Sequence, residues 1–185
     1  MGDRNQWHYL SRRKFDGPVL EIGSKSYTGN TADFRQMFPD FLGVDLQPGA
    51  GVDVVADLSQ PHDLPKHHFG LVICCSVLEH CRDPWAMARN ITELVRPGGS
   101  VYIAVPWVWR YHDYPDDYWR FSWSGIKALF PEIEWEAPEF STTREGDFFP
   151  AMKDADNNLA VVIEGRKFLP YLMLNMLGTW TTKTS

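Results

Sequence analysis

Three carboxylates stand at comparable places in the first third of the chain. Glu21 lies near the end of the apolar run Pro18-Val19-Leu20-Glu21-Ile22, Asp45 closes Phe41-Leu42-Gly43-Val44, and Asp57 closes Val52–Ala56. Short apolar runs of this kind read as strands buried in a sheet. Gly23 follows the first run at once, where a residue without Cβ lets the backbone turn sharply. Open α/β sheets bind ligands beyond the carboxyl ends of their strands. Asp45 follows the glycine turn at close to the spacing of an acid that holds a ribose. A carboxylate accepts from two hydroxyls at once, so Asp45 suits both ribose oxygens. Asp57 is placed to accept from an adenine amino group.

A second cluster follows the apolar run Val101–Val105. It reads P-W-V-W-R-Y-H-D-Y-P-D-D-Y-W-R-F-S-W, and eight of the residues from Trp107 to Trp123 are aromatic. A plain core segment seldom carries so many charges among its rings. Apolar walls desolvate a ligand while the charges between them orient it. Trp107, Trp109, Arg110, Tyr111, Asp113, Asp117, Tyr118, Trp119 and Arg120 are the expected acceptor-binding residues. His112 is the first candidate base, since neutral imidazole titrates near working pH. His80, at the mouth of the fourth apolar run, is the second.

These groups need a frame. Strands are expected at Val19–Ile22, Phe41–Val44, Val52–Ala56, Gly70–Cys75 and Val101–Val105. Phe34, Met37 and Phe38 mark a short helix within 31–38, ended by Pro39. Asp83-Pro84 opens a helix with Asp as N-cap and Pro in the first turn. Trp85, Ala88, Ile91, Leu94 and Val95 form its buried face, and Arg96-Pro97-Gly98-Gly99 stops it. Ser122 or Ser124 caps another helix with Trp123, Ile126, Leu129 and Phe130 inward. The link from Ser59 to His68 holds two prolines and little periodicity, so that crossover is short or irregular. Ile133–Glu136 and Leu159–Glu164 are expected as a hairpin-like edge. Residues 1–16 suit a short packing helix, and the apolar tail at 166–185 suits packing on the domain or on a second subunit. The pattern is that of one domain with a mostly parallel α/β sheet.

Composition narrows the partners. The 185 residues carry a formal net charge of −6, which disfavours a nucleic-acid backbone as the main ligand. No apolar run reaches the length of a membrane span. Cys74, Cys75 and Cys81 make no C-x-x-C pair, and His62, His67 and His68 lack the spacing of a zinc site. A reducing cytoplasm and no metal are expected. Lys25 stands where a dinucleotide fingerprint places its second glycine, which argues against a pyrophosphate.

The ordered segments V-L-E-I-G-S, F-L-G-V-D-L, V-V-A-D-L, F-G-L-V-I-C-C-S-V-L-E-H-C-R-D-P and L-V-R-P-G-G-S-V-Y-I-A-V-P resemble a class I S-adenosylmethionine (SAM)-dependent methyltransferase. The likeness covers Pro18 to Pro106, runs on more loosely to Pro131, and is greatest to domains of the ubiquinone-biosynthesis type. Lys25 and Tyr27 depart from that family's glycine-rich turn. The resemblance implies a Rossmann-like, seven-stranded, mostly parallel sheet with helices on both faces. It implies that Glu21, Gly23, Ser24 and Lys25 hold the methionine portion of SAM, and that Asp45 takes the ribose with Leu46 against the adenine. Asp57 and the Leu58 amide then meet the adenine edge, and Cys75 and Ser76 lie beside the methionine amino group. The implied reaction moves a methyl group to a hydroxyl or amine of a small molecule or sugar, leaving S-adenosylhomocysteine. Two other readings fit the residues: a SAM-binding regulatory or scaffold protein without turnover, and a dinucleotide-dependent oxidoreductase.

Overall fold

Side chains alternate between the two faces of a strand, and that alternation divides the core in two. In the computed structural model, which describes residues 4–27, 33–112, 115–150, 152–153, 159–160 and 171–181, the central strands are β1 (Val19–Ile22), β4 (Phe69–Cys75) and β5 (Val95–Val108). Leu20, Val72, Cys74, Val101 and Ile103 face one cluster, while Val19, Leu71, Ile73, Tyr102 and Ala104 face the other. Every residue of β4 is buried, as its unbroken apolar run requires of a strand covered on both sides.

One cluster is covered by α2 (Pro84–Leu94) and α3 (Trp123–Leu129), the other by α1 (Arg4–Ser11) and a 3₁₀ turn at Phe34–Gln36. The caps form as the sequence indicates. Asp83 accepts from the Ala86 amide with Pro84 in the first turn, and Ser122 accepts from the Gly125 amide. Tyr9 of α1 stacks on Tyr102 of β5 with ring centroids 4.9 Å apart.

The main sheet runs β3-β2-β1-β4-β5-β11-β7-β8, where β2 is Phe41–Asp45, β3 Val54–Val55, β7 Glu139–Ser141, β8 Phe148–Pro150 and β11 Leu172–Trp180. Strands β1 to β5 are mutually parallel, so their carboxyl ends share one edge. Strand β11 is antiparallel to β5 on one side and to β6 (Ile133–Trp135) and β7 on the other. The sheet has nine strands rather than seven. The strand beside β11 is divided into β6 and β7 around Pro138, and β8 is added outside it.

Several expectations change here. Within the apolar tail, the segment Leu172–Trp180 is a strand of the sheet and the partner of β6. Of the expected partner, Leu159–Glu164, residues 161–164 lie outside the described residues, and Leu159–Ala160 forms β10, which pairs with β9 (Met152–Lys153) in a separate two-stranded sheet. The short helix expected at 31–38 is described only from Asp33, where it is a single 3₁₀ turn capped by Asp33. Strand β5 starts earlier than expected, absorbing Arg96–Gly99 as an irregularity against β4. It also runs through Pro106, beyond the last β4 pair at Ala104, where one side of the strand is open and a missing N–H costs little.

Candidate active site

The carboxyl edge of β1 and β2 gathers the glycines. Gly23 leaves β1 with φ +78°, and its amide and that of Ser24 both donate to the Val44 carbonyl. Gly43, inside β2, lies under the loop at Gly51, so that a Cβ on Gly43 would stand 2.3 Å from the Gly51 carbonyl oxygen. Gly51 has φ +86° and packs against the Ser24 carbonyl. The backbone is thus drawn close where a ligand has to approach it. The Ser24 side chain is buried, and its hydroxyl has no hydrogen-bond partner among the described residues.

The three strand-end acids have different surroundings. Glu21 is buried at the end of β1. Asp45 accepts from the Lys25 amide at 3.1 Å and from the Gln47 amide at 3.1 Å, one on each oxygen. Those bonds fix the plane of the carboxylate at the rim. Asp57 folds back on Ser59, whose amide and hydroxyl donate to the same oxygen at 2.8 and 2.7 Å. Leu46 is exposed beside Asp45, whereas the Leu58 side chain is buried in the core. The Lys25 ammonium donates to Gln47 at 2.8 Å and lies over Tyr27, so it sits on the β2 side of the turn. Cys75 ends β4 fully buried, and Ser76 then turns the chain with φ +53°, an unusual conformation for a residue with a side chain.

The 3₁₀ turn Leu78–His80 follows, and the segment after β5 folds onto it. The Tyr118 and Trp119 amides donate to the Glu79 carbonyl, and the Trp119 indole donates to the Cys81 carbonyl. His80 and His112 meet in this contact. The His80 Nδ1 lies 2.6 Å from the Asp116 carbonyl, and the His112 Nδ1 lies 3.2 Å from both the Arg110 carbonyl and the Asp117 carboxylate. All three partners are acceptors, so each Nδ1 carries the proton in a neutral ring and each Nε2 presents a lone pair. Burial holds the His80 pKa below the usual imidazole value.

Asp117 and Arg120 are engaged with each other. The Asp117 carboxylate is 1% exposed, paired through both oxygens to Arg120, and it accepts from the His112 amide at 2.9 Å. The Arg120 guanidinium beside it holds its carboxyl well below the usual range. Arg120 also donates to the Arg110 and Trp119 carbonyls. The pair therefore braces the loop and has few polar atoms left for a ligand. Trp107, Tyr111 and Tyr118 are exposed, Trp109 packs on Tyr171, and Asp113 lies outside the described residues.

Glu79 was not singled out in the sequence. It is fully buried, both its oxygens lack a hydrogen-bond partner among the described residues, and burial pushes its pKa up to about 8. Its signal was a carboxylate inside V-L-E-H-C, where an apolar helix face or strand end has no use for one.

Residues 6–151 match the methyltransferase domain family. The chain belongs to it. The fold agrees: the Haloferax volcanii protein solved with the Trm112 methyltransferase activator superposes with TM-score 0.66 at 16% identity, over 98% of this chain and 90% of that one. The Burkholderia thailandensis 1,6-didemethyltoxoflavin-N1-methyltransferase, solved with S-adenosylhomocysteine, gives TM-score 0.61 at 15% identity over 97% and 76% of the two chains. The ubiquinone biosynthesis O-methyltransferase of Citrobacter koseri is 35% identical over 60 residues. That stretch is 32% of this chain and 25% of the relative's length. The family's methyl donor is SAM, and the residues fit it: close-packed glycines, the buried Ser24 hydroxyl and the half-buried carboxylate of Asp45 share one edge. The dinucleotide oxidoreductase reading gives way to this family. Among the described residues, no helix is long and apolar enough to cross a membrane.

Proposed function

We propose that this methyltransferase moves a methyl group to a hydroxyl of a small molecule held under the Trp107–Trp123 segment, with an amine as the alternative acceptor. SAM, when bound, supplies an electrophilic methyl on a sulfonium. Asp45 would hold its ribose, Asp57 and the Leu58 amide its adenine edge, and Glu21 with the Gly23–Lys25 backbone its methionine portion, beside Cys75 and Ser76. The chain's task is then to orient an acceptor and remove water. Orientation alone supplies about 7–11 kcal/mol of a barrier, so few reactive side chains are needed.

The observation that carries the reading is the pair His80 and His112. Each ring is fixed through Nδ1 and offers Nε2 as an acceptor, at the edge where the parallel strands end. A positioned base adds roughly 10²–10⁴-fold for a hydroxyl acceptor. Trp109 lies beside His112 with ring centroids 6.4 Å apart, and Trp107, Tyr111, Tyr118 and Trp119 of the same segment would wall the acceptor, with Arg110 at its rim. The printed name of the Citrobacter relative, an O-methyltransferase, favours oxygen.

The test is release of S-adenosylhomocysteine from SAM across a panel of phenols, sugar hydroxyls and amines. Turnover with hydroxyl compounds and little with amines is expected. Tight SAM binding with no product from any acceptor class would instead favour a regulatory binder.

A further inference from the structure

We infer that Glu79, His80 and His112 form a binding site for a divalent first-row metal ion. One donor atom from each lies within 4.8 Å of the others. Glu79 and His80 come from the turn after β4 and His112 from the loop after β5, so the sequence gives no spacing by which to see them together.

Three features distinguish this cluster from a chance contact. First, the Glu79 side chain is 0% exposed and neither oxygen has a hydrogen-bond partner among the described residues. A buried carboxylate left that way is costly, and a cation between it and the imidazoles removes the cost. The Nε2 of His80 lies 3.9 Å from its Oε1. Second, both imidazoles have the outer contacts of metal ligands. The Nδ1–H of each is held by a carbonyl or carboxylate, which fixes the tautomer and aims the Nε2 lone pair. Third, Arg120, a cation near Glu79 among the described residues, is already neutralised, because it is paired to Asp117 through both carboxylate oxygens.

The donor set selects the ion. Two imidazoles and one carboxylate suit zinc, iron(II) or cobalt(II), whereas magnesium and calcium prefer all-oxygen sets. Bonds of about 2.1 Å place donors of a tetrahedral site roughly 3.4 Å apart, so the side chains close by about an ångström when the ion enters. Three protein ligands leave a position open. Resting on the methyl-transfer reading, that position takes the acceptor oxygen: the ion lowers the pKa of a coordinated hydroxyl and its proton passes to water. The ion then replaces the imidazoles as the means of activation.

The experiment uses the full chain stripped of metal with EDTA and titrated with zinc by calorimetry, then with cobalt(II) by visible absorption. No SAM or acceptor is present, so its result is independent of the methyl-transfer reading. One ion per chain is expected, with cobalt bands of a four- or five-coordinate site. Glu79→Gln and His112→Ala should each weaken binding at least 10²-fold while circular dichroism stays unchanged. A second measurement on the unaltered chain, nitrogen-15 spectra of the histidine side chains, should show zinc shifting two Nε2 resonances while both Nδ1 stay protonated. No binding by the folded chain, or binding that both variants retain, overturns the inference. So does methyl transfer at full rate after EDTA with no metal left in the protein.

Discussion

His80 and His112 meet edge to face with ring centroids 4.8 Å apart, one from the turn after β4 and the other from the loop after β5. The contact exists because the Glu79 carbonyl accepts two amides of the loop, from Tyr118 and Trp119. His112→Ala should therefore lower turnover about 10²-fold or more with SAM affinity nearly unchanged. His80→Ala tests the second ring in the same way. Rates on a working acceptor, set beside SAM binding by calorimetry, separate the two effects. Near-full rates in both variants would leave orientation and desolvation as the whole of catalysis.

Asp45→Ala should weaken SAM binding while leaving the fold intact. A carboxylate that accepts from hydroxyls makes charge-assisted bonds worth about 1.5–3 kcal/mol, roughly a 10- to 150-fold loss in affinity. The variant also frees the Lys25 and Gln47 amides, which water reaches at this rim. Calorimetric titration with SAM measures the change, and an unaltered affinity in a folded variant removes Asp45 from the site.

Strands β1, β2, β4 and the middle of β5 were legible because buried parallel strands are runs of apolar residues, whereas the edge strand β3 is only Val54–Val55, shorter than the expected Val52–Ala56. The acids at β1, β2 and β3 could be placed at one edge by topology alone. The partner of β6 could not. Leu172–Trp180 contains Asn175 and Gly178, which read as breaks in an apolar tail. In the sheet, Asn175 is satisfied by Tyr102 and Ser141, and Gly178 is required because a Cβ there would stand 2.4 Å from Ile133. Both residues make sense only against neighbours distant in sequence. The same holds for Glu79 and Asp117, whose roles depend on a loop folding back across β4.

Asn175 yields a stability prediction. It sits fully buried in β11, accepting from the Tyr102 hydroxyl at 2.8 Å and donating to the Ser141 hydroxyl at 2.9 Å, which ties β5, β11 and β7 together. Asn175→Ala removes both hydrogen bonds from the core. Each such loss costs about 1–3 kcal/mol, so the denaturant midpoint should fall markedly. Asn175→Asp should be worse at neutral pH, since it buries a charge. Chemical denaturation of the two variants gives the order.

Asp53 sets an acid limit. Burial opposes its charge, but bonds from Arg35 at 2.5 Å and from the Gly43 amide at 2.7 Å outweigh it and lower its pKa below the usual 3.8. A carboxyl with a depressed folded pKa contributes stability above its unfolded pKa and loses it as pH falls through the folded one. The contribution is therefore present at pH 7, begins to fall as pH approaches the unfolded value near 3.8, and is lost as pH drops through the lower folded pKa. Both side chains are partly exposed, 33% and 38%, so the pair is worth about 1 kcal/mol at most. Thermal unfolding of wild type and Asp53→Asn from pH 3 to 7 should give curves that differ at neutral pH and converge in acid. Curves that stay parallel would show that the pair adds nothing through its charge.

Arg120 tests the brace of the loop. Its guanidinium binds both oxygens of a carboxylate that is 1% exposed, and donates onward to the carbonyls of Arg110 and Trp119. A lysine ammonium cannot reproduce a planar fork. Arg120→Lys therefore keeps the charge and loses the geometry, leaving the Asp117 carboxylate incompletely paired beside His112. Hydrogen bonds to charged groups are worth about 1.5–3 kcal/mol, so a stability loss in that range is expected. Because Asp117 also accepts the His112 amide, the ring should move with it. Turnover should drop by more than the stability loss explains, at a temperature where the variant is fully folded, while SAM affinity holds. Equal rates in Arg120→Lys and wild type, with Asp117 still paired, would mean that the loop keeps its form without the fork.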